Sequence, residues 1–465
     1  MKAISILLIT FLTSFTLTAQ DITGQWYGVL KVQGIQLRLV FNVTNSDHGY
    51  RSTMDSPDQG ATGIPVTNTT FENSKIKFEV ANARIEYNGE LNGNEIVGTF
   101  KQNGQEIPMN LSRNIIEKAV KKRPQEPTKP YTYYSEDVVF QNTSANIALS
   151  GTLTLPQKEG VFPTVILITG SGAQNRDEEL LGHKPFLIIS DYLTKNGIGV
   201  LRYDDRGVGQ SEGDFKTSTS SDFATDVESA IAYLKTRKEI DKKKIGLIGH
   251  SEGGLIAPMV ASKSKDVAFI VLLAGTGIPG DQILLLQQKL IGKASGVSDE
   301  DLQKNEITNR TIFDLVKKST SIEQLKTDLT SYIEQLLKEN SDVKKTNGMS
   351  DEDFVNLHIT QIVNPWMLYF IKHNPAPTLE KVKCPVLAIN GEKDLQVPPK
   401  ENLEAIKKAL TKGGNKKIKT MELPNLNHLF QECDTGSPEE YATIEQTFSP
   451  IALIEILNWI KTQTK

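Results

Sequence analysis

The stretch Lys244 to Gly254, KIGLIGHSEGG, restricts the fold more than any other part of the chain. Apolar Ile245, Leu247 and Ile248 interleave with glycines and run into Gly249-His250-Ser251-Glu252-Gly253, and the following Leu255 to Ala261 has a helical composition. This reads as a buried strand, a sharp turn and a helix, with a serine at the apex. A G-x-S-x-G turn of this kind needs its glycines because side chains there would collide with strand and helix, and it holds the serine in a strained backbone conformation. The first amides of the helix, Glu252 N–H among them, then point toward the place where an oxyanion would form. A plain strand-to-helix turn whose serine caps the helix has the same five-residue pattern, so the rest of the chain has to decide between the two.

The rest of the chain supplies a parallel sheet. From residue 131 onward, strand-like runs alternate with helical ones, the mark of a mostly parallel sheet covered on both faces. DVVFQNT and NIALSGTLTLP form an opening hairpin; PTVILITGSG, GIGVLRYDDRG, KIGLIG, VAFIVLLAGTG, CPVLAING and KIKTMELP follow as strands. Ser221 to Lys235 carries Phe223, Val227, Ile231 and Leu234 on one helical face, and a closing helix lies near Ile451 to Ile460. One insertion, residues 278–380, interrupts the alternation with helical patterns at Asp281–Lys293, Ser298–Lys318, Ser321–Glu339 and Ser350–Asn364. Ser321 and Ser350 begin capping sequences. An ordinary crossover takes about a dozen residues, so this block is expected to form a cap over the C-terminal ends of the strands, where ligands bind.

The part before residue 131 is different in kind. Residues 20–115 alternate with period two, as in Leu37, Leu39, Phe41 and Val43 or Ile76, Phe78 and Val80, with hairpin signals at Asn92-Gly93 and Asn103-Gly104. About eight antiparallel strands in a small barrel or sandwich account for this pattern. Trp26 and Tyr27 read as core, and His48 as a surface loop residue. Residues 116–130, charged and proline-rich, read as a linker with a solvated tether of basic residues. The first 19 residues, one lysine and then a short apolar run ending at Ala19, read as a cleavable secretory signal, which implies a secreted or periplasmic protein without a transmembrane segment in its mature form.

Composition removes several classes of function. A formal net charge of −4 is too mild to suggest nucleic acid or an anionic surface as partner. The β-patterned part before residue 116 holds no His, Cys or carboxylate cluster with metal-ligand spacing, and no metal is expected. Cys384 and Cys433 fall at opposite ends of one strand pair and are expected to remain free.

A serine hydroxyl becomes a nucleophile when a base takes its proton and a carboxylate fixes the base's tautomer. Six histidines allow elimination. His48 lies in the β region, His358 and His373 in the insertion, His183 before a helix, and His250 inside the turn with its ring directed elsewhere. His428, in PNLNHLF just after the last strand, is left at the sheet's C-terminal edge. Of Glu392 and Asp394 in INGEKDLQVP, Asp394 is the better placed, since Glu392 follows the strand directly and reads as a turn cap. The order Ser, Asp, His agrees with a G-x-S-x-G turn. The second oxyanion amide is assigned to Ser171 in the loop after PTVILITG, with a one-residue shift left open, to pair with Glu252 N–H. Asn175-Arg176-Asp177 reads either as a brace for this loop or as a surface ion pair, and DDRGVGQS as a structured turn. Gly172, Trp366, Met367 and Phe370 are candidates for the substrate pocket, with packing between cap and core as the alternative for each apolar one.

GSGAQNRDE, YDDRGVGQSEG, GHSEGG, NPWMLYF and INGEKDLQVP, in this order and with a helical block between strands, resemble the α/β-hydrolase superfamily, and within it bacterial EstD-type carboxylesterases and serine aminopeptidase-like hydrolases. The resemblance covers residues 131–465. It implies a Ser251, Asp394, His428 triad, no cofactor, and activity on small acyl esters. Peptide hydrolysis is the rival reading, with Glu252 or Glu300 to grip a substrate ammonium; a non-catalytic binding protein on the same scaffold is a second. Acyl chain length, alcohol and oligomeric state have no signature in the sequence.

Overall fold

The computed structural model describes residues 21–465 apart from 33–34, 48, 60, 103–104, 118–122 and 340–349. The expected signal segment, His48, the Asn103-Gly104 hairpin and part of the linker therefore lie outside the described residues. The chain divides near residue 119 into two compact units. No helix among the described residues is long and apolar enough to cross a membrane.

The first unit is one antiparallel sheet that curls into a half-barrel, with ten strands between Gly24–Val32 and Leu111–Ser112. Among the described residues that is two more than the eight expected, because Gln105–Pro108 and Leu111–Ser112 are too short to display an alternating pattern. Phe41, Phe78, Tyr87, Phe100 and Trp26 fill the core. Phe41 and Phe78 stack with ring centroids 4.4 Å apart. Trp26 is buried, as expected of a core residue, whereas Tyr27 is half-buried on the opposite face of its strand.

The second unit is built on eight strands: β1 Tyr134–Asn142, β2 Ile147–Leu155, β3 Phe162–Ile168, β4 Gly199–Tyr203, β5 Ile240–His250, β6 Phe269–Leu273, β7 Val386–Gly391 and β8 Ile418–Leu423. Their order is β1-β2-β4-β3-β5-β6-β7-β8. The pairs β1–β2 and β2–β4 are antiparallel, and all the others are parallel. Strands β4, β6 and β7 are buried along their whole length, as unbroken apolar runs covered on both faces should be. The helices α1 Pro185–Lys195, α2 Ser220–Thr236 and α3 Gly253–Ala261 come between strands of the first half. Among the described residues the insertion between β6 and β7 holds α4 Gly280–Ala294, α5 Asp299–Lys318, α6 Ile322–Glu339, α7 Asp351–Ile362, α8 Pro365–Lys372 and the single-turn helix Ala376–Leu379. Ser350 caps α7 by accepting Asp353 N–H, and the insertion has its own apolar cluster around Phe313, Val316, Leu325 and Leu329.

The linker's second half is not a solvated tether. The Arg123 guanidinium donates to the carbonyls of Leu181, Gly182 and Ile444, and Gln125 exchanges hydrogen bonds with Thr447 and Phe448. Five planar donors reach several carbonyls at once, which a composition-based reading of a basic segment cannot anticipate. Cys384 and Cys433 are free and half-buried.

Candidate active site

The parallel register brings the C-terminal ends of β3, β5, β7 and β8 to one edge of the sheet, and each delivers part of the site. At the end of β5 the chain turns so sharply that a Cβ on Gly249 would lie 2.0 Å from the Gly253 carbonyl oxygen, and one on Gly253 2.2 Å from that of Ile168. Only hydrogen fits at either place. Ser251 itself has φ +52°, a left-handed conformation that costs an L-residue about 1–2 kcal/mol. The turn is held in it by Ser251 N–H on the Leu273 carbonyl and Gly254 N–H on that of Ser251. A Cβ on Gly170, two residues beyond β3, would lie 3.3 Å from Ser251 Cβ.

Asp394 and His428 meet as the sequence suggests. Asp394 Oδ1 accepts the amides of Gln396 and Val397, both at 2.8 Å, which leaves Oδ2 for His428 Nδ1 at 2.8 Å. Both side chains are buried. A carboxylate oxygen only accepts, so Nδ1 is the donor in this bond, which is the tautomer that leaves the Nε2 lone pair of a neutral ring directed away from Asp394. Asn427 Oδ1 takes the amides of Leu429 and Gln431 and shapes the loop that carries His428. Glu392 takes Asn425 N–H at 2.9 Å, in keeping with a turn cap. Ser251 Oγ has no hydrogen-bond partner among the described residues, so the contact that would complete a triad is not made in this conformation. Such contacts are often long before substrate binds.

The amides of Glu252 and Ser171 have no acceptor among the described residues, whereas Gly170 N–H is taken by Glu178 Oε1 at 2.6 Å. That disfavours a one-residue shift of the candidate donor back to Gly170. Gly172 is exposed with φ +97°, a conformation suited to glycine. Of the apolar pocket candidates, Trp366 reaches the elbow, its indole N–H donating to Glu252 Oε1 at 2.8 Å. Met367 packs against the insertion's own cluster, and Phe370 is buried in the main core beneath Trp366, with rings stacked at 5.0 Å. The contacts of both are packing contacts, the alternative the sequence left open for each, since a period of 3.6 turns neighbouring positions of α8 to different surfaces.

Several residues that position this site were not singled out by sequence. Asp205, within the run read as a structured turn, accepts Thr169 Oγ1–H at 2.7 Å and Gln174 N–H at 3.0 Å, and so ties down both ends of the Ser171 loop. Arg176 resolves as a brace: it grips Asp204 through Nε at 3.1 Å and Nη2 at 2.7 Å, with little exposure on either side. Ser220 donates to Glu252 Oε1 at 2.5 Å. Burial raises the Glu252 carboxyl, with Ser220 and Trp366 opposing the shift. Motif spacing has no bearing on these partners, which are brought together only by folding.

Burial also pushes the Asp205 carboxyl up to about 8, against its two hydrogen bonds and with help from Glu252 and Glu178. A neutral acid in this place keeps a negative charge away from the amides that would hold an oxyanion. An unfolded Asp titrates near ~3.9, so folding stability tied to this group is full below that pH and is lost as pH rises toward the folded value. Asp205→Asn mimics the neutral acid, with its amide N–H₂ toward Thr169 and its oxygen toward Gln174. The melting temperature of Asp205→Asn should therefore gain on the parent's between pH 5 and pH 8 and then run level, by roughly 5 °C at most. A gap independent of pH over that range would contradict a neutral Asp205.

The sheet order, the crossover helices and the elbow define the α/β-hydrolase architecture. A profile for the alpha/beta hydrolase fold matches residues 163–433, and the chain belongs to that family. Among characterised sequences it is similar to Esterase EstD of Thermotoga maritima, 26% identical over 297 residues, which are 63% of this chain and 61% of EstD. The match thus spans about three-fifths of that relative. It is also similar to the thiohydrolase apmlB of Arthrinium phaeospermum, 31% identical over 149 residues, covering 31% of this chain and 44% of that protein. Among solved structures, a ferulic acid complex of Est1E from Butyrivibrio proteoclasticus aligns over 70% of this chain and 99% of its own, with 15% identity and a TM-score of 0.41.

Proposed function

We propose that this chain is an exported serine hydrolase that cleaves carboxylic esters through an acyl-enzyme. The observation that carries the reading is the Asp394–His428 pair at 2.8 Å on the same sheet edge as a serine strained at φ +52°. His428 Nε2 takes the Ser251 proton as Oγ attacks the ester carbonyl, and the amides of Glu252 and Ser171 receive the oxyanion. The alcohol leaves with the proton from His428. Water, deprotonated by the same nitrogen, then releases the acid, while Asp394 stays ionised and orients the ring. Membership of the hydrolase family and the likeness to an esterase support ester hydrolysis. Export rests on the apolar run before Ala19. The insertion acts as a cap in this reading, with Trp366 anchoring α8 to the elbow and Gly172 beside the acyl site.

A peptidase that grips a substrate ammonium is less well served by the same residues. The Glu252 carboxylate is buried and already engaged by Ser220 and Trp366, and Glu300 is a surface residue paired with Lys304 one turn away. The deciding comparison sets p-nitrophenyl acetate and butyrate against aminoacyl p-nitroanilides. Ester turnover in excess of amide turnover, together with fluorophosphonate labelling at Ser251, is expected; the reverse ratio would replace esterase by peptidase, and absence of labelling would favour a binding protein.

A further inference from the structure

His250 does no chemistry in the cycle above, yet both of its ring nitrogens are committed. The ring is buried at the end of β5, with Nδ1 2.9 Å from Glu178 Oε1 and Nε2 3.0 Å from the carbonyl oxygen of His428. An ionised carboxylate and a peptide carbonyl are both acceptors, so each contact is a hydrogen bond only if the nitrogen carries a proton. A neutral imidazole has one such proton, and its remaining lone pair would face an oxygen lone pair. The Glu178 oxygen that faces Nδ1 also receives Gly170 N–H at 2.6 Å. A single carboxylate oxygen thereby joins the segment leading into Ser171 to the residue before Ser251, and the far side of the ring holds the backbone of the candidate base.

We propose that His250 is an imidazolium held by Glu178, and that the pair is a positioning unit which fixes the Gly170 segment and the His428 loop in register with the Ser251 elbow. Glu178 has φ +51°, a conformation rare for an L-residue and maintained only where the surroundings determine it. Pro185, Phe186, Leu273 and Phe448 wall one side of the pair with apolar surface. The ring of His428 lies 4.9 Å from that of His250 and Phe430 presents an edge at 6.4 Å. The charged groups that bear on His250 are Glu178, in the segment before α1, and Asp394, beyond β7. Burial alone pulls the imidazole down, but the charge and hydrogen bond of Glu178, the His428 carbonyl and Asp394 outweigh it, and the net direction is upward. A charge-assisted bond on each side of one planar ring restricts rotation more than a neutral bond would, which suits a spacer between two loops.

The charge assignment is independent of the proposed reaction; its kinetic consequence rests on that reaction. The full chain labelled with ¹⁵N-histidine, with His250→Gln to assign the signal, should show both His250 nitrogens protonated at pH 8. A neutral tautomer at that pH overturns the imidazolium. In Glu178→Gln the same signal should change to one protonated nitrogen, and kcat for p-nitrophenyl butyrate should fall about 10- to 100-fold with KM within about two-fold. Folded Glu178→Gln with kcat unchanged overturns the positioning role. Should that variant fail to fold, His250→Gln takes its place with the same kinetic criterion, and the parent's spectrum still decides the charge. Loss of fluorophosphonate labelling in the parent, alongside a doubly protonated His250, would sink the hydrolase reading and leave the charge assignment intact.

Discussion

Ser251→Ala is expected to lower kcat for p-nitrophenyl butyrate by about 10⁶-fold and to abolish fluorophosphonate labelling, while the melting temperature stays level or rises slightly. The size follows from the proposed division of labour: without Oγ no acyl-enzyme forms, and only residual catalysis by the oxyanion amides and substrate binding survives, on the order of 10³ to 10⁴ over water. The direction of the stability change follows from the backbone. Ser251 stays at φ +52° because Gly249, Gly253 and the Leu273 carbonyl hold it there, and replacement by alanine leaves those contacts in place. A folded Ser251→Ala variant that kept a tenth of the parent's activity would remove the serine from the mechanism and with it the proposed function.

Asp394→Asn should cost about 10⁴-fold in kcat with KM little changed, because it reverses a proton without moving an atom. Oδ1 of Asp394 is already bound to two backbone N–H groups, from Gln396 and Val397, so the asparagine must place its own oxygen there. Its N–H₂ then faces His428 Nδ1, which is obliged to accept. The ring proton moves to Nε2, the position from which Ser251 would be deprotonated. Combined with Ser251→Ala, the substitution should cost nothing further, since both act on the same step. Measured kcat for the two single variants and the double variant tests this; additive losses would mean that Asp394 acts on something other than the His428–Ser251 proton transfer.

Much of this candidate site is legible in the sequence. Gly249, Ser251 and Gly253 advertise themselves because the elbow's steric demands act within five residues. Asp394 and His428 could be chosen because each follows a strand whose apolar run is unmistakable, and parallel strands put their C-terminal ends on one edge. The insertion's helices were legible from their caps and length. For Met367 and Phe370 the sequence leaves pocket and packing open together, because an apolar residue on an amphipathic helix has the same local pattern whether it lines a pocket or fills a core. Arg123 was misread for a related reason: a basic residue in a proline-rich stretch has no pattern that distinguishes solvent from a set of carbonyls.

The sequence by itself determined whatever depends on near neighbours along the chain: the alternation of strand and helix, the period-two character of residues 20–115, the strained elbow, and the types of residue able to act as nucleophile, base and orienting acid. Tertiary structure alone decided which groups meet across long separations. Glu178 and His250 are 72 residues apart, His250 and the His428 carbonyl 178, and Trp366 and Glu252 114. The physical reason is that a hydrogen bond depends on distances of about 3 Å and on direction, and neither is encoded by residue type. Both are set when the buried strands lock into register.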